Sequence, residues 1–99
     1  MARIELAPEI GEDFDRILEH LFQYEVADAA YRIEEILQAM SVLEHNPMIG
    51  WRVQADLREL IIGKQSRGYV ALYHSIPEID IVFVLAIRSQ REAGYTNFE

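Results

Sequence analysis

The chain contains no cysteine, which excludes disulfides, thiolate chemistry and cysteine-based zinc sites. It has no long hydrophobic run either. The longest, Ile81–Ile87, has seven residues, against the roughly 20 that a membrane-crossing helix needs. The opening stretch MARIELAPEI lacks the apolar core of a secretory signal, so none is expected. These absences predict a cytoplasmic protein without membrane contact. Missing too are a glycine-rich phosphate loop and any Gly-Lys-Ser/Thr sequence, which argues against a nucleotide site. Ser41, Ser66, Ser75 and Ser89 lack the glycine context of a nucleophile elbow. His20, His45 and His74 have no ligand-like spacing, so neither a metal nor another cofactor is expected.

Positive charge is scarce. Nine Lys and Arg face seventeen Asp and Glu, for a net charge of −8. Residues 1–50 carry eleven acidic side chains against Arg3, Arg16 and Arg32, whereas residues 51–99 carry six of each sign. The first half is therefore unsuited to phosphates, and its acids read as a solvated helical face. No direct DNA binding by the chain alone is expected. Any anionic partner would have to meet the second half.

What is present is a globular balance of 51% hydrophobic and 26% charged residues over 99 positions, which predicts one domain spanning 1–99. Arg3–Ala7 alternates like a short strand. Pro8 suits the first turn of a helix, and Glu9, Glu12, Asp13 and Asp15 suit its positive end. Ile10, Phe14, Ile17, Leu18, Leu21 and Phe22 form one apolar stripe; Ala30, Ile33, Leu37 and Met40 form a second, with Asp28 as its N-cap. That helix should end near His45–Asn46, ahead of Pro47. Residues 46–56 read as a loop, after which the period falls to two. Strands are expected at Leu57–Ile62, Tyr69–Ser75 and Asp80–Ile87, with Lys64 and Arg67 in the first turn and Pro77 in the second. The predicted class is α+β: an N-terminal strand and an α-helical hairpin packed on one face of a small antiparallel sheet. The continuous run Ile81–Ile87 marks either a strand buried on both faces or one whose second face awaits a partner.

One group of side chains remains as a candidate site: Arg58, Lys64, Arg67, Arg88, Arg91 and Tyr95. Such cations can bind phosphate, neutralise an oxyanion or pair with acids of a partner; the plain alternative is ordinary surface charge. Arg58 shares its strand face with Leu60 and Ile62, so its stem should lie along the sheet with the guanidinium at the rim.

The order of these segments resembles the RelE/ParE superfamily, the toxins of type II toxin–antitoxin modules, also called plasmid stabilisation proteins. The resemblance runs through nearly the whole chain. It is carried by Leu43-x-x-x-Pro47-x-x-Gly50, Leu57-Arg58-Glu59-Leu60, Gly68-Tyr69-Val70-Ala71-Leu72-Tyr73 and Val84 through Tyr95, where Ser89 stands in place of a frequent histidine. It implies the same α+β fold, with Ile81–Ile87 as the central strand, and a growth-arresting toxin neutralised by a cognate antitoxin. Apolar antitoxin side chains would lie on the sheet face opposite the helices, near Val84, and Arg58, Arg67, Arg88, Arg91 and Tyr95 would serve antitoxin or target binding.

The two branches differ in activity. RelE-like toxins cut messenger RNA on the ribosome with several basic residues and a late tyrosine; ParE-like toxins inhibit DNA gyrase and are not nucleases. A RelE-like reading would make Lys64, Arg88, Arg91 and Tyr95 catalytic. Against it, Val70 replaces the arginine after Gly68-Tyr69, and a second lysine has no counterpart where Ile61, Ile62 and Gly63 stand. Cleavage through the RNA's own 2′-hydroxyl also needs a base, and only His74, at a strand end, is on offer. The acidity opposes steering toward the ribosome. The resemblance is therefore closer to ParE, with the messenger RNA nuclease as the alternative and a non-toxic binding module as a further one.

Overall fold

The computed structural model describes residues 1–23, 29–63 and 68–95. Five strands form one sheet: β1 (Arg3–Leu6), β2 (Trp51–Gln54), β3 (Leu57–Ile62), β4 (Tyr69–Ile76) and β5 (Ile81–Ser89). Their spatial order is β1-β5-β4-β3-β2. The pairs from β2 to β5 are antiparallel, and β1 joins β5 in parallel. Between β1 and β2 come α1 (Ile10–Gln23), α2 (Ala29–Met40) and a short 3-10 turn over Ser41–Glu44.

The expected α+β architecture is present, with three corrections. The stretch assigned to a loop contains β2, so the meander has four strands. β2 is exposed at every position, and its alternation of Trp51 and Val53 with Arg52 and Gln54 spans only four residues. The sheet is mixed rather than purely antiparallel, because β1 returns to the strand farthest from it in the chain. The middle place belongs to β4, not to the apolar strand β5, which lies between β1 and β4. Asp28, the expected cap of α2, lies outside the described residues.

The helices cover one face of the sheet, α1 chiefly over β5. Ile10, Asp13, Ile17 and Leu21 form the buried ridge of α1, and Ala29, Ile36 and Met40 that of α2. The predicted α1 stripe is broader than its ridge, and that of α2 is partly out of phase, since Ala30 and Leu37 are exposed whereas Ala29 and Ile36 are buried. Phe14 and Leu18 sit on the flank, half-buried, and Phe22, one turn further on, is exposed. Opposite the helices stand Leu60 and Ile62 of β3, Tyr69, Ala71 and Tyr73 of β4, and Val82, Val84 and Ile87 of β5.

The spacing in β5 is irregular for a reason. Leu72 pairs with Ala86 but Tyr73 pairs with Val84, so Leu85 is the extra residue of a β-bulge. The bulge shifts the phase: Val82 and Val84 face the helices, and then Ile87 does, not Ala86. Ala86 lands on the second face beside Leu72 and Val70, and all three are buried there. In a run with no polar residue nothing marks such a shift.

Past the bulge β5 loses its neighbour, since β1 ends at Leu6 and the last backbone bond runs from Ala7 N–H to Val84 O. Side chains of α1 take over. The Ile87 N–H donates to Asp13 Oδ2 (3.0 Å), and Arg16 Nη2 donates to Ile87 O (3.1 Å). The two side chains reproduce what a neighbouring strand would offer. Asp13, expected on a solvated acidic face, is fully buried; it lies in phase with Ile10 and Ile17, and its carboxylate is held by the Ile87 amide and by Arg16 Nη1 at 2.7 Å.

The loop before β2 is fastened as firmly. The Gly50 N–H donates to the Tyr73 hydroxyl (2.8 Å), and Arg58 Nη1 donates to Met48 O (3.1 Å) and Gly50 O (2.9 Å). A Cβ on residue 50 would lie 2.6 Å from Glu59 O and 2.7 Å from the Tyr73 ring, so only glycine lets these groups approach.

Candidate functional site

The last turn of β5 and the segment after it gather most of the expected site residues. Arg16 Nε donates to Glu92 Oε1 (2.8 Å), and the Ser89 N–H donates to Glu92 Oε2 (2.7 Å). Arg88 Nη1 donates to Glu92 O (3.0 Å) and Ser89 O (3.2 Å). An unbroken chain thus runs from Asp13 through Arg16 and Glu92 to the backbone that positions Arg88. The Arg88 guanidinium carbon is 5.2 Å from the centre of the Tyr95 ring, within reach of cation–π attraction. Arg88 Nε is buried with no hydrogen-bond partner among the described residues.

Tyr95 folds back over the second face of the sheet. Its hydroxyl donates to Glu59 Oε2 at 2.5 Å. Glu59 is on β3, in register with Leu72 and hence in one row with Ala86. The phenol therefore reaches from the segment after β5, past β4, to β3. Burial pushes its pKa well above the ordinary phenol value, and the Glu59 carboxylate pushes it the same way; Arg88 opposes them weakly. A phenol held as a donor to a carboxylate is a poor proton donor to a leaving group.

Not all expected site residues share this place. Arg58 adjoins Glu59 on β3 but is on the helix-side face, paired with Tyr73; its stem lies on that face as expected, but its guanidinium clamps the Met48–Gly50 backbone. Arg91 is exposed, and its N–H donates to Ser89 Oγ. Val84 needs a correction: it is fully buried under the helices, in phase with Val82, so it cannot touch a partner in the folded chain. Lys64 and Arg67 lie outside the described residues. His74, the remote candidate base, is half-buried on β4 beside Phe83 and Leu57.

Sequence reasoning missed Glu59, Arg16 and Glu92. Glu59 gave a weak sign, an acid between Arg58 and Leu60 whose alternation places it opposite Leu60. Arg16 and Glu92 gave none, because 76 residues separate them. Among the described residues, no group of three or more His, Asp or Glu side chains is placed to hold a metal ion. No helix there is long and apolar enough to cross a membrane. The arrangement offers one oriented guanidinium and an occupied phenol, which suits binding better than proton transfer.

Solved structures share this fold. The chain resembles a structure from the chromosomal ParDE toxin–antitoxin system of P. aeruginosa (TM-score 0.73, 16% identity, covering 90% of this chain and 96% of that one). It also resembles one from the intact E. coli RelBE toxin–antitoxin complex (TM-score 0.63, 15% identity, 93% and 100% covered) and one from the archaeal RelE–RelB complex of Pyrococcus horikoshii OT3 (TM-score 0.57, 13% identity, 93% and 98% covered). No curated protein matches the sequence. The family described as the ParE toxin of the type II toxin–antitoxin system, parDE, matches residues 4–94. The chain belongs to that ParE toxin family, within the RelE/ParE superfamily whose fold it shares.

Proposed function

We propose that this protein is a growth inhibitor of the ParE type that acts in the cytoplasm as a single domain on DNA gyrase, without cutting RNA, and is held inactive by a cognate antitoxin. The observation that carries the choice of inhibitor over nuclease is the bond from Tyr95 to Glu59. With its phenol donating to a carboxylate and its acidity suppressed, Tyr95 is withdrawn from acid–base work. The absence of an arginine at Val70 and the net charge of −8 point the same way. Arg88, Arg91 and Arg58 then serve contact with protein partners, and Tyr95 orients Arg88.

Antitoxin capture has apolar surface to use. Trp51 and Ile61 project from the second face, in register with Glu59 and Val70, and are 75% and 48% exposed. Covering them with apolar side chains of a partner segment is favourable by about 25 cal/mol per Å² removed from water.

The deciding experiment adds the purified protein to gyrase and follows supercoiling. Supercoiling should stop at micromolar protein and resume when antitoxin is added. If supercoiling continues while expression still arrests growth, the gyrase reading fails. Codon-positioned cuts in translated messenger RNA that vanish in Arg88→Ala or Tyr95→Phe would instead establish the RelE-like nuclease. Normal growth without antitoxin would leave a non-toxic binding module.

A further inference from the structure

We propose that the cleft between the β2–β3 hairpin and the end of β4 is a binding site for a single carboxylate carried on an apolar stem. The cleft has a volume of about 480 Å³. Its arginines leave the helix-side face of the sheet, whereas the cluster of Arg88 and Tyr95 lies on the second face.

Arg52 and Arg58 are directly paired across β2 and β3, so their side chains leave the same face next to each other. Like charges directly opposite on neighbouring strands are unfavourable. Neither arginine forms an ion pair with a carboxylate among the described residues. Their protein bonds use only part of each fork. Arg52 donates Nε to Ala55 O, and Arg58 donates Nη1 to Met48 O and Gly50 O. The terminal nitrogens of Arg52, and Nη2 and Nε of Arg58, have no acceptor among the described residues. Two adjacent guanidiniums with unused donors fit the two oxygens of one carboxylate.

The rest of the lining selects among anions. Asp56 and Glu78 also face the cleft, so its local charge is balanced and it offers no net attraction to a polyphosphate or nucleic-acid backbone. What is unsatisfied is hydrogen-bonding capacity rather than net charge. Met48, Ile76 and Pro77 supply an apolar wall, which suits an alkyl stem such as that of an acidic side chain or of an apolar residue at a peptide's carboxyl terminus. The site does not depend on the toxin's target, so a failed gyrase assay leaves it standing.

The test follows the Arg52 and Arg58 Nε–Hε resonances of the labelled full chain by NMR during titration with acetate, butyrate, inorganic phosphate, N-acetyl-leucine and N-acetyl-glutamate amide. Saturable shifts of both resonances are expected, with butyrate binding more tightly than acetate or phosphate. The two acetylated amino acids separate a chain-terminal carboxylate from a side-chain one, and tighter binding of either than of acetate supports the site. Arg52→Ala, an exposed edge-strand change, should keep the native spectrum and weaken butyrate about 10-fold. Glu78→Gln should tighten it by removing a competing charge. Absence of saturable shifts, unchanged affinity in Arg52→Ala, or phosphate binding as tightly as butyrate would each overturn the proposal.

Discussion

Replacing Asp13 by alanine removes the side chain that closes the outer edge of β5. Three costs are visible. The buried Ile87 N–H loses its acceptor at 3.0 Å, Arg16 loses its partner at 2.7 Å, and a small cavity opens beside Ile10 and Ile17. A buried unsatisfied donor costs about 1–3 kcal/mol, and breaking a buried ion pair costs about 3–5 kcal/mol. Arg16 is only partly buried and keeps Glu92, so the lower ends apply and the sum is about 4 kcal/mol. For a chain of this size each kcal/mol moves the melting temperature by about 4–8 °C. The variant should therefore melt roughly 16–32 °C lower.

The assay is thermal unfolding followed by far-ultraviolet circular dichroism, with Asp15→Ala as the control on the exposed face of α1. Amide exchange adds a local readout, since the Ile87 N–H should be slow in the parent and fast in the variant. Asp13→Asn is a sharper probe. One amide oxygen cannot accept from both Arg16 and Ile87, and its NH₂ then meets another donor, so this near-isosteric change should also destabilise clearly. If Asp13→Ala melts within about 4 °C of the Asp15→Ala control, and Ile87 exchanges at an unchanged rate, the buried carboxylate at the strand edge is refuted.

Tyr95 gives a prediction in pH. Its folded pKa lies above the ordinary value near 10 because of burial and Glu59, so its stabilisation is complete below about pH 10 and is lost as pH climbs through the raised value. Tyr95→Phe should lose about 1–2 kcal/mol at pH 7 and flatten the alkaline fall in urea stability; parallel curves for the two proteins would refute the bond to Glu59. Val84→Asp places an unpaired carboxylate in the helix-side core and should cost several kcal/mol, visible as loss of the cooperative transition; an unchanged melting temperature would mean that the strand is not buried as described. Gly50→Ala sets a methyl group against Glu59 O and the Tyr73 ring. It should lower stability by about 1–3 kcal/mol, as read by urea unfolding, and an unaltered midpoint would show that the loop can move aside.

Elements with a period were legible and those without were not. Leu57–Ile62 alternates and was placed residue for residue. The two helices were found from their stripes, although Phe22 shows that an apolar stripe can outrun the surface available to cover it. β2 was missed because its alternation, Trp51-Arg52-Val53-Gln54, is only four residues long and follows Pro47 and Gly50. The bulge at Leu85 was invisible because every neighbour is apolar. Asp13 did leave a trace, standing where the ridge through Ile10 and Ile17 demands an apolar residue. The surrounding acids and the helix dipole supplied a sufficient account of it, right about its place in the first turn of α1 and wrong only about its exposure. In the candidate site, Arg88 and Tyr95 were legible, while their supports Glu59 and Glu92 depend on contacts between distant segments that no local pattern encodes.

The parallel pairing of β1 with β5 bears on how the chain acquires its fold. Of the described strands β1 is made first, yet its one strand partner among them, β5, is made last. Four strands can zip together from neighbouring hairpins, but β1 has to wait, and joining it closes a loop that contains both helices. Closure over such a separation is slow compared with hairpin formation. The finished sheet therefore cannot exist on a nascent chain that has not yet delivered β5.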